Sequence, residues 1–71
     1  MRAKLIVLHW RAKSAKWEKM EERTCDAKES PKFITLIENE GRTRWKFNKA
    51  TGRRVPFYGG SMYQYQYEVI P

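Results

Sequence analysis

Glycine and proline divide this 71-residue chain into two unlike parts. Residues 1–29 contain neither, whereas all four glycines and all three prolines follow, starting with Pro31. Because proline disfavours helical backbone in the residue before it, a helix in the first part would end by Ser30. The second part has the short apolar runs and Gly-containing turns of an antiparallel sheet. We therefore predict one small α+β domain over residues 1–71, with an amphipathic N-terminal helix packed on a sheet.

The first part carries a stripe of residues with helical spacing. The stripe consists of Trp10, Trp17, Met20, Thr24 and Ala27. Residues 5–8 are continuous, apolar and partly β-branched, which favours a buried strand over residues 3–10. Two arrangements stay open: a short strand followed by a helix whose N-cap is Ser14, or a helix that includes residues 3–10 as well. In both, the helix reaches about residue 29.

The second part predicts a meander of three or four antiparallel strands. The strand-like runs cover residues 33–38, 43–48, 53–58 and 62–70. The loops between them, at 39–41, 48–52 and 59–60, contain glycine, which adopts the backbone conformations that tight turns need. Pro56 has no N–H to donate, so we expect the third run to lie at an edge or a bulge.

The length of the first loop decides which side chains share a face of the sheet. A three-residue loop at 39–41 places Phe33 opposite Phe47 and Thr35 opposite Trp45, which predicts that Trp45 and Phe47 lie in the core. The next loop, closed with Phe47 opposite Arg53, extends that apolar face. The opposite face then carries Arg44, Lys46 and Arg54 beside Ile34 and Leu36.

Charge is the strongest functional signal in the sequence. The net charge is +7, from 15 basic and 8 acidic side chains. It is unevenly distributed: +5 in residues 1–20, −3 in 21–40, +6 in 41–60 and −1 in 61–71. The cations of the third block are Arg42, Arg44, Lys46, Lys49, Arg53 and Arg54. Clustered Lys and Arg neutralise phosphates, so we predict that this basic hairpin binds DNA or RNA with little sequence specificity. The alternative is a solvated hairpin that keeps a small protein soluble.

The last strand contains an alternating tyrosine motif. Tyr63, Tyr65 and Tyr67 project from one face. A three-residue loop at 59–61 directs them into the core, whereas a two-residue turn at 59–60 directs them to the basic face. Burying the intervening glutamines would leave amide groups without partners, which favours the core arrangement. In the other arrangement the rings would stack on nucleic-acid bases, and the candidates for stacking are Tyr58, Tyr63 and Tyr65.

The sequence contains no set of residues that predicts catalysis, a cofactor or a metal site. His9 has no nucleophile or carboxylate at a meaningful spacing, and Cys25 lies beside acidic residues that would raise its pKa. Glu22, Asp26 and Glu29 have helical spacing, but the neighbouring cations favour surface ion pairs over metal binding. We therefore expect a binding protein and not an enzyme.

Two further functions would use the same cations. The first is a small non-enzymatic inhibitor or modulator that binds an acidic or DNA-facing surface of a larger nucleic-acid-handling complex. Small size, a charged hairpin and a surplus of tryptophan motivate it. The second is a small ribonuclease that uses Lys, Arg and Tyr in place of histidine, with Arg54 and Tyr65 as the residues to test.

The remaining expectations concern compartment and assembly. Residues 5–8 form an apolar run too short for a signal-peptide core or a membrane span, so we predict no membrane association. Cys25 is the only cysteine, which excludes an intramolecular disulfide and favours the cytoplasm. A thin core and an exposed strand edge favour a homodimer.

Overall fold

The computed structural model describes residues 1–57 and 59–71 and consists of one curled, five-stranded antiparallel sheet. The strands are β1 (Arg2–Arg11), β2 (Lys16–Glu29), β3 (Phe33–Glu38), β4 (Thr43–Asn48) and β5 (Tyr63–Ile70). Their order across the sheet is β4-β3-β2-β1-β5. The only helical element in the described residues is a 3-10 turn, Asn39–Gly41. The predicted α+β class, with an N-terminal helix on a meander, is therefore wrong.

Strand β1 forms the middle of the apolar core. It confirms the strand alternative for residues 3–10 and pairs with β2 on one side and β5 on the other. Because side chains alternate along a strand, Ala3, Leu5 and Val7 project to the same face, and all three are buried. We call this side of the curled sheet the concave face. The other core residues on it are Cys25, Ala27, Ile34, Leu36 and Phe47.

The segment predicted as a helix is strand β2. Its Lys, Glu, Met and Ala residues favour a helix locally, but β1 needs a pairing partner along its whole length, and tertiary pairing overrides propensity. The charges of the two strands are complementary, since β1 lies in a basic block and β2 in a mixed, acidic one. Ion pairs join them at Arg2–Asp26, Lys4–Glu22 and Arg11–Glu18, with N···O distances of 3.2, 3.6 and 3.2 Å.

Strands β3 and β4 have the predicted bounds, but their predicted register is wrong by one residue. Ile34 pairs with Phe47, and Glu38 pairs with Thr43, so the loop contains four residues and not three. Three successive loop residues, 39–41, have positive φ angles of 51°, 57° and 88°. The one-residue shift places Ile34 and Leu36 on the concave face with Trp45 and Phe47. It therefore overturns the predicted basic face that combined Ile34 and Leu36 with Arg44 and Lys46.

The third predicted strand, residues 53–58, is also wrong. In the described residues it is reduced to a single bridge between Phe47 and Arg54, closed by hydrogen bonds from Asn48 N–H to Arg53 O and from Val55 N–H to Lys46 O, at 2.9 and 2.8 Å. Tyr58 lies outside the described residues. The chain then crosses to the far edge of the sheet, where β5 pairs with β1.

The curl of the sheet brings its two edge strands together across the concave face. The ring centroids of Phe47 and Tyr67 lie 5.0 Å apart, and those of Trp45 and Tyr65 lie 4.7 Å apart. These contacts confirm the core arrangement for Tyr65 and Tyr67, which are half-buried, whereas Tyr63 is 45% exposed. Strand β5 pairs with β1 and not with residues 53–57, so the predicted cross-strand partners of the tyrosines are wrong.

The part of the chain covered by residues 1–57 and 59–71 contains no helix with the length and apolar character needed to span a membrane.

Candidate functional site

A groove of about 580 Å³ lies between β5 and the segment that follows β4. Residues 51–54, 56 and 57 line one side, residues 60–66 line the other, and Trp10 and Trp17 complete it. Its volume is in the range of small-molecule sites. The described lining contains five aromatic side chains, two arginines and no carboxylate. Aromatic rings and uncompensated cations in one concave site suit a ligand with planar apolar rings and negative charge.

Two of the aromatic side chains come from the hairpin that joins β1 to β2. Trp10 and Trp17 are cross-strand partners, and their rings make an edge-on contact with 5.5 Å between centroids. The backbone N–H of Trp10 also donates to the backbone carbonyl of Met62 at 2.8 Å, which anchors this end of the hairpin to the start of β5. The predicted helical stripe of tryptophans is therefore a cross-strand pair that lines the groove.

Arg54 is the most unusual side chain of the site. Its guanidinium carbon lies 4.7 Å from the Trp45 ring centroid and 5.0 Å from that of Tyr65. Its Nε is buried and has no acceptor among the described residues, although a buried donor without a partner costs about 1–3 kcal/mol. The positive charge of the Arg54 guanidinium therefore packs against two aromatic rings and has no carboxylate partner among the described residues. A bound anion at this guanidinium would supply the missing counter-charge.

Arg53 and Phe57 form a second, more open cation–aromatic pair. The guanidinium carbon of Arg53 lies 5.1 Å from the centroid of the Phe57 ring. Phe57 is 59% exposed, and Met62 on the opposite side of the groove is 52% exposed. Large apolar side chains exposed together in a concave site are typical of a binding surface. Tyr63 continues this surface along β5, and its ring centroid lies 4.9 Å from that of the His9 ring.

The structure does not bring the six predicted phosphate-binding cations onto one surface. Arg53 and Arg54 line the groove. Arg44 and Lys46 alternate with Trp45 and Phe47, so they lie on the opposite, convex face, where the Lys46 ammonium contacts the Phe33 ring at 4.2 Å. The other two lie in loops: Arg42 follows the 3-10 turn, and Lys49 pairs with Glu29 at 2.9 Å.

A hydrogen-bonded network supports the aromatic floor of the site. Glu38 accepts two bonds from the Arg23 guanidinium, at 2.7 and 2.9 Å, and one from Trp45 Nε1 at 2.8 Å. The Arg23 guanidinium lowers the pKa of the Glu38 carboxyl, and the Trp45 bond adds to this effect. Glu38 in turn raises the pKa of Arg23 further above neutrality. The network fixes the orientation of Trp45, on which Arg54 packs.

Cys25 belongs to the core and not to this site. It is buried, and its thiol donates to the backbone carbonyl of Ala3 at 3.7 Å. Burial raises the pKa of the thiol, and the negative charge of Glu38 raises it further. The described residues also contain no group of three His, Cys, Asp or Glu side chains placed to hold a metal ion.

Some residues of the groove are predictable from the sequence, and others are not. Arg53, Arg54, Tyr63 and Tyr65 were predicted as site residues and line it, whereas Phe57 and the two groove tryptophans were not predicted. The spacing of Trp10 and Trp17, with the polar stretch 11–16 between them, fits a hairpin as well as a helix. The helical interpretation places the two rings on one helix face, so it does not predict that they pair across two strands.

Comparisons with protein-family models, with curated proteins and with solved structures found no match to this chain, so the groove itself carries the functional argument.

Proposed function

We propose that this protein binds single-stranded nucleic acid in the groove between β5 and residues 51–57. The observation that carries the proposal is the composition of the lining: five aromatic rings, two arginines and no carboxylate among the described residues. Polynucleotides combine flat apolar bases with a phosphate on every nucleotide. Single-strand-binding proteins recognise both parts with aromatic stacking and a basic groove, and one stacked base contributes roughly 1–3 kcal/mol.

Each half of the lining has its own role in this proposal. Phe57 and Tyr63 have the exposed rings on which unpaired bases would stack. Arg53 and Arg54 would contact phosphates, and Arg54 would gain the counter-charge that its aromatic neighbours do not provide. A duplex keeps its bases stacked on each other, so it cannot offer them to these rings. We therefore expect a preference for single strands.

The cations outside the groove would contribute without direct contact. Arg44 and Lys46 on the convex face, and Arg42 in the loop, have no ion pair among the described residues. Their charge would raise the local concentration of a polyanion and speed its association. The free, buried Cys25 is compatible with a reducing compartment, and we propose the cytoplasm as the place of action.

A fluorescence-anisotropy titration tests the proposal. Labelled 12-nucleotide DNA and RNA strands, and the matching duplexes, are titrated with the protein at 50 and 200 mM salt. We expect single strands to bind at least about tenfold more tightly than duplexes. With two phosphate contacts and a slope of about −0.7 per contact, the fourfold increase in salt weakens single-strand binding about sevenfold.

Two results would contradict the proposal: no binding of any strand at 50 mM salt, or equal affinity for strand and duplex. The first would favour the inhibitor hypothesis, in which an acidic protein surface occupies the groove. Intact RNA at the end of the titration is the control that separates binding from ribonuclease activity.

A further inference from the structure

We propose that two copies of this chain associate through the free edges of their β5 strands, which joins the two sheets into one. This inference goes beyond the proposed function, because it concerns the backbone edge of β5 and needs no nucleic acid. Strand β5 is an edge strand whose neighbour in the described sheet is β1. An edge strand presents a row of unpaired backbone groups, which is a template for pairing with another strand.

The outward-facing backbone groups of β5 can be identified from its ladder. The backbone N–H of Trp10 donates to the backbone carbonyl of Met62, so these two residues form a hydrogen-bonded pair. In an antiparallel ladder every second pair is hydrogen-bonded, and the β1–β5 register continues from this pair. The even-numbered residues of β5 therefore bond to β1. The N–H and C=O groups of Tyr65, Tyr67 and Val69 point away from the sheet, and those of Tyr63 do so as well, with its N–H bonded to Ser61 Oγ at 3.1 Å.

The opposite edge of the sheet is unsuited to the same pairing. Residues 53–55 cover β4 there: the backbone N–H of Asn48 donates to the carbonyl of Arg53, and the backbone N–H of Val55 donates to the carbonyl of Lys46. That edge also belongs to the block with charge +6. Covering and charge are two ways in which proteins protect an edge strand, and β4 has both.

Charge distribution favours a second copy as the occupant of the β5 edge. Residues 61–71 contain one acidic and no basic side chain, and the other sixty residues contain 15 basic and 7 acidic ones, a net charge of +8. Two molecules with this net charge repel each other where their cations approach, whereas β5 is a segment without any basic side chain. The strand also contains three tyrosines, a valine and an isoleucine, residue types that favour sheet pairing.

A two-fold axis at Tyr67 gives a pairing that uses the outward N–H and C=O groups of Tyr65, Tyr67 and Val69. Tyr67 then faces its own copy, and Tyr65 faces Val69 of the other chain, which allows six backbone hydrogen bonds in all: one from each N–H of these three residues in each copy. On the convex face, Gln66 lies opposite Glu68 of the other chain. An amide therefore faces each carboxylate, and the two carboxylates do not face each other.

Analytical ultracentrifugation of the protein without nucleic acid tests the dimer. We expect a mass of twice 8.6 kDa at tens of micromolar. Val69→Pro removes one outward N–H per chain without removing a bond to β1, so it should raise the dimer dissociation constant about tenfold or more. A far-UV circular dichroism spectrum like that of the wild type shows that this variant keeps its sheet.

Two charge variants at one exposed position test the register. Gln66→Glu places like charges opposite each other and should raise the dissociation constant, whereas Gln66→Lys places an ion pair there and should lower it, by about threefold each. A wild type that stays monomeric at 200 μM would overturn the proposal. A dimer that responds to none of the three substitutions would overturn it too, and neither result depends on whether nucleic acid binds the groove.

Discussion

Phe47→Ala is expected to cause a large loss of stability in this protein. The Phe47 ring is fully buried, its strand partner is Ile34, and it packs on Tyr67 across the concave face, with ring centroids 5.0 Å apart. Replacing a buried phenylalanine with alanine costs about 3–5 kcal/mol, from lost burial and the cavity that remains. The whole unfolding free energy of a chain this short is roughly 4–11 kcal/mol. The variant should therefore unfold at a much lower urea concentration than the wild type.

Urea denaturation followed by tryptophan fluorescence measures this effect. Phe57→Ala is the matched control, because it deletes the same side chain at a position that is 59% exposed. We expect that control to change the unfolding free energy by less than about 0.5 kcal/mol. Equal losses in the two variants would show that Phe47 does not hold the two edges of the sheet together.

Glu38→Ala should also lower the stability of the protein. The substitution removes the acceptor of three hydrogen bonds, and it leaves Trp45 Nε1 without that partner and Arg23 with Glu21 alone. Hydrogen bonds to charged groups contribute about 1.5–3 kcal/mol, so we expect a loss of about 2 kcal/mol in urea denaturation. Glu21→Ala is the control, since it removes the more exposed partner of the same guanidinium and should cost less than about 1 kcal/mol.

The same network predicts a pH dependence. Hydrogen bonds from Arg23 and Trp45 lower the pKa of Glu38 in the folded protein, so the unfolded state takes up this proton first as the pH falls. The stabilisation is complete above the ordinary glutamate pKa of about 4.3 and is lost as the pH falls through the lowered pKa. Urea midpoints between pH 6 and pH 3 should fall less steeply for Glu38→Gln than for the wild type. Glu40→Gln, at an exposed loop position, should retain the steep dependence.

Local signals predicted the parts of the fold that local interactions determine. Strands β3 and β4 have their predicted bounds because β-prone runs flank a loop with Asn and Gly. Their predicted register was wrong because the loop contains four residues and not three. Three of these four have positive φ angles, but only one of the three is a glycine, so the glycine position does not reveal the loop length. The strand character of 3–10 was visible in its β-branched run, although a helix stayed open there.

Non-local pairing determines the rest, and this is why the sequence did not reveal it. Residues 16–29 are good helix formers, and they become β2 because β1 pairs along them. The pairing of β5 with β1 joins residues about sixty positions apart, so hairpin rules could not find it. The groove depends on both events, since Trp17 comes from β2 and Tyr63 from β5. Arg53 and Arg54 were found because their charge is visible without a fold.

We expect nucleic acid to bind in the groove, and not wherever basic charge is exposed. Two double variants that remove the same charge separate these explanations. Arg53→Gln/Arg54→Gln changes the groove, and Arg44→Gln/Lys46→Gln changes the convex face. Circular dichroism spectra and urea midpoints establish that both variants are folded before binding is compared.

The most direct measurement is the anisotropy titration of one labelled single strand with the wild type and both double variants at 50 mM salt. We predict that the groove variant weakens binding by about tenfold or more, because two phosphate contacts are lost. The convex-face variant should weaken it by about threefold or less, through long-range attraction alone. Equal losses in the two variants, or a larger loss in the convex-face variant, would contradict binding in the groove.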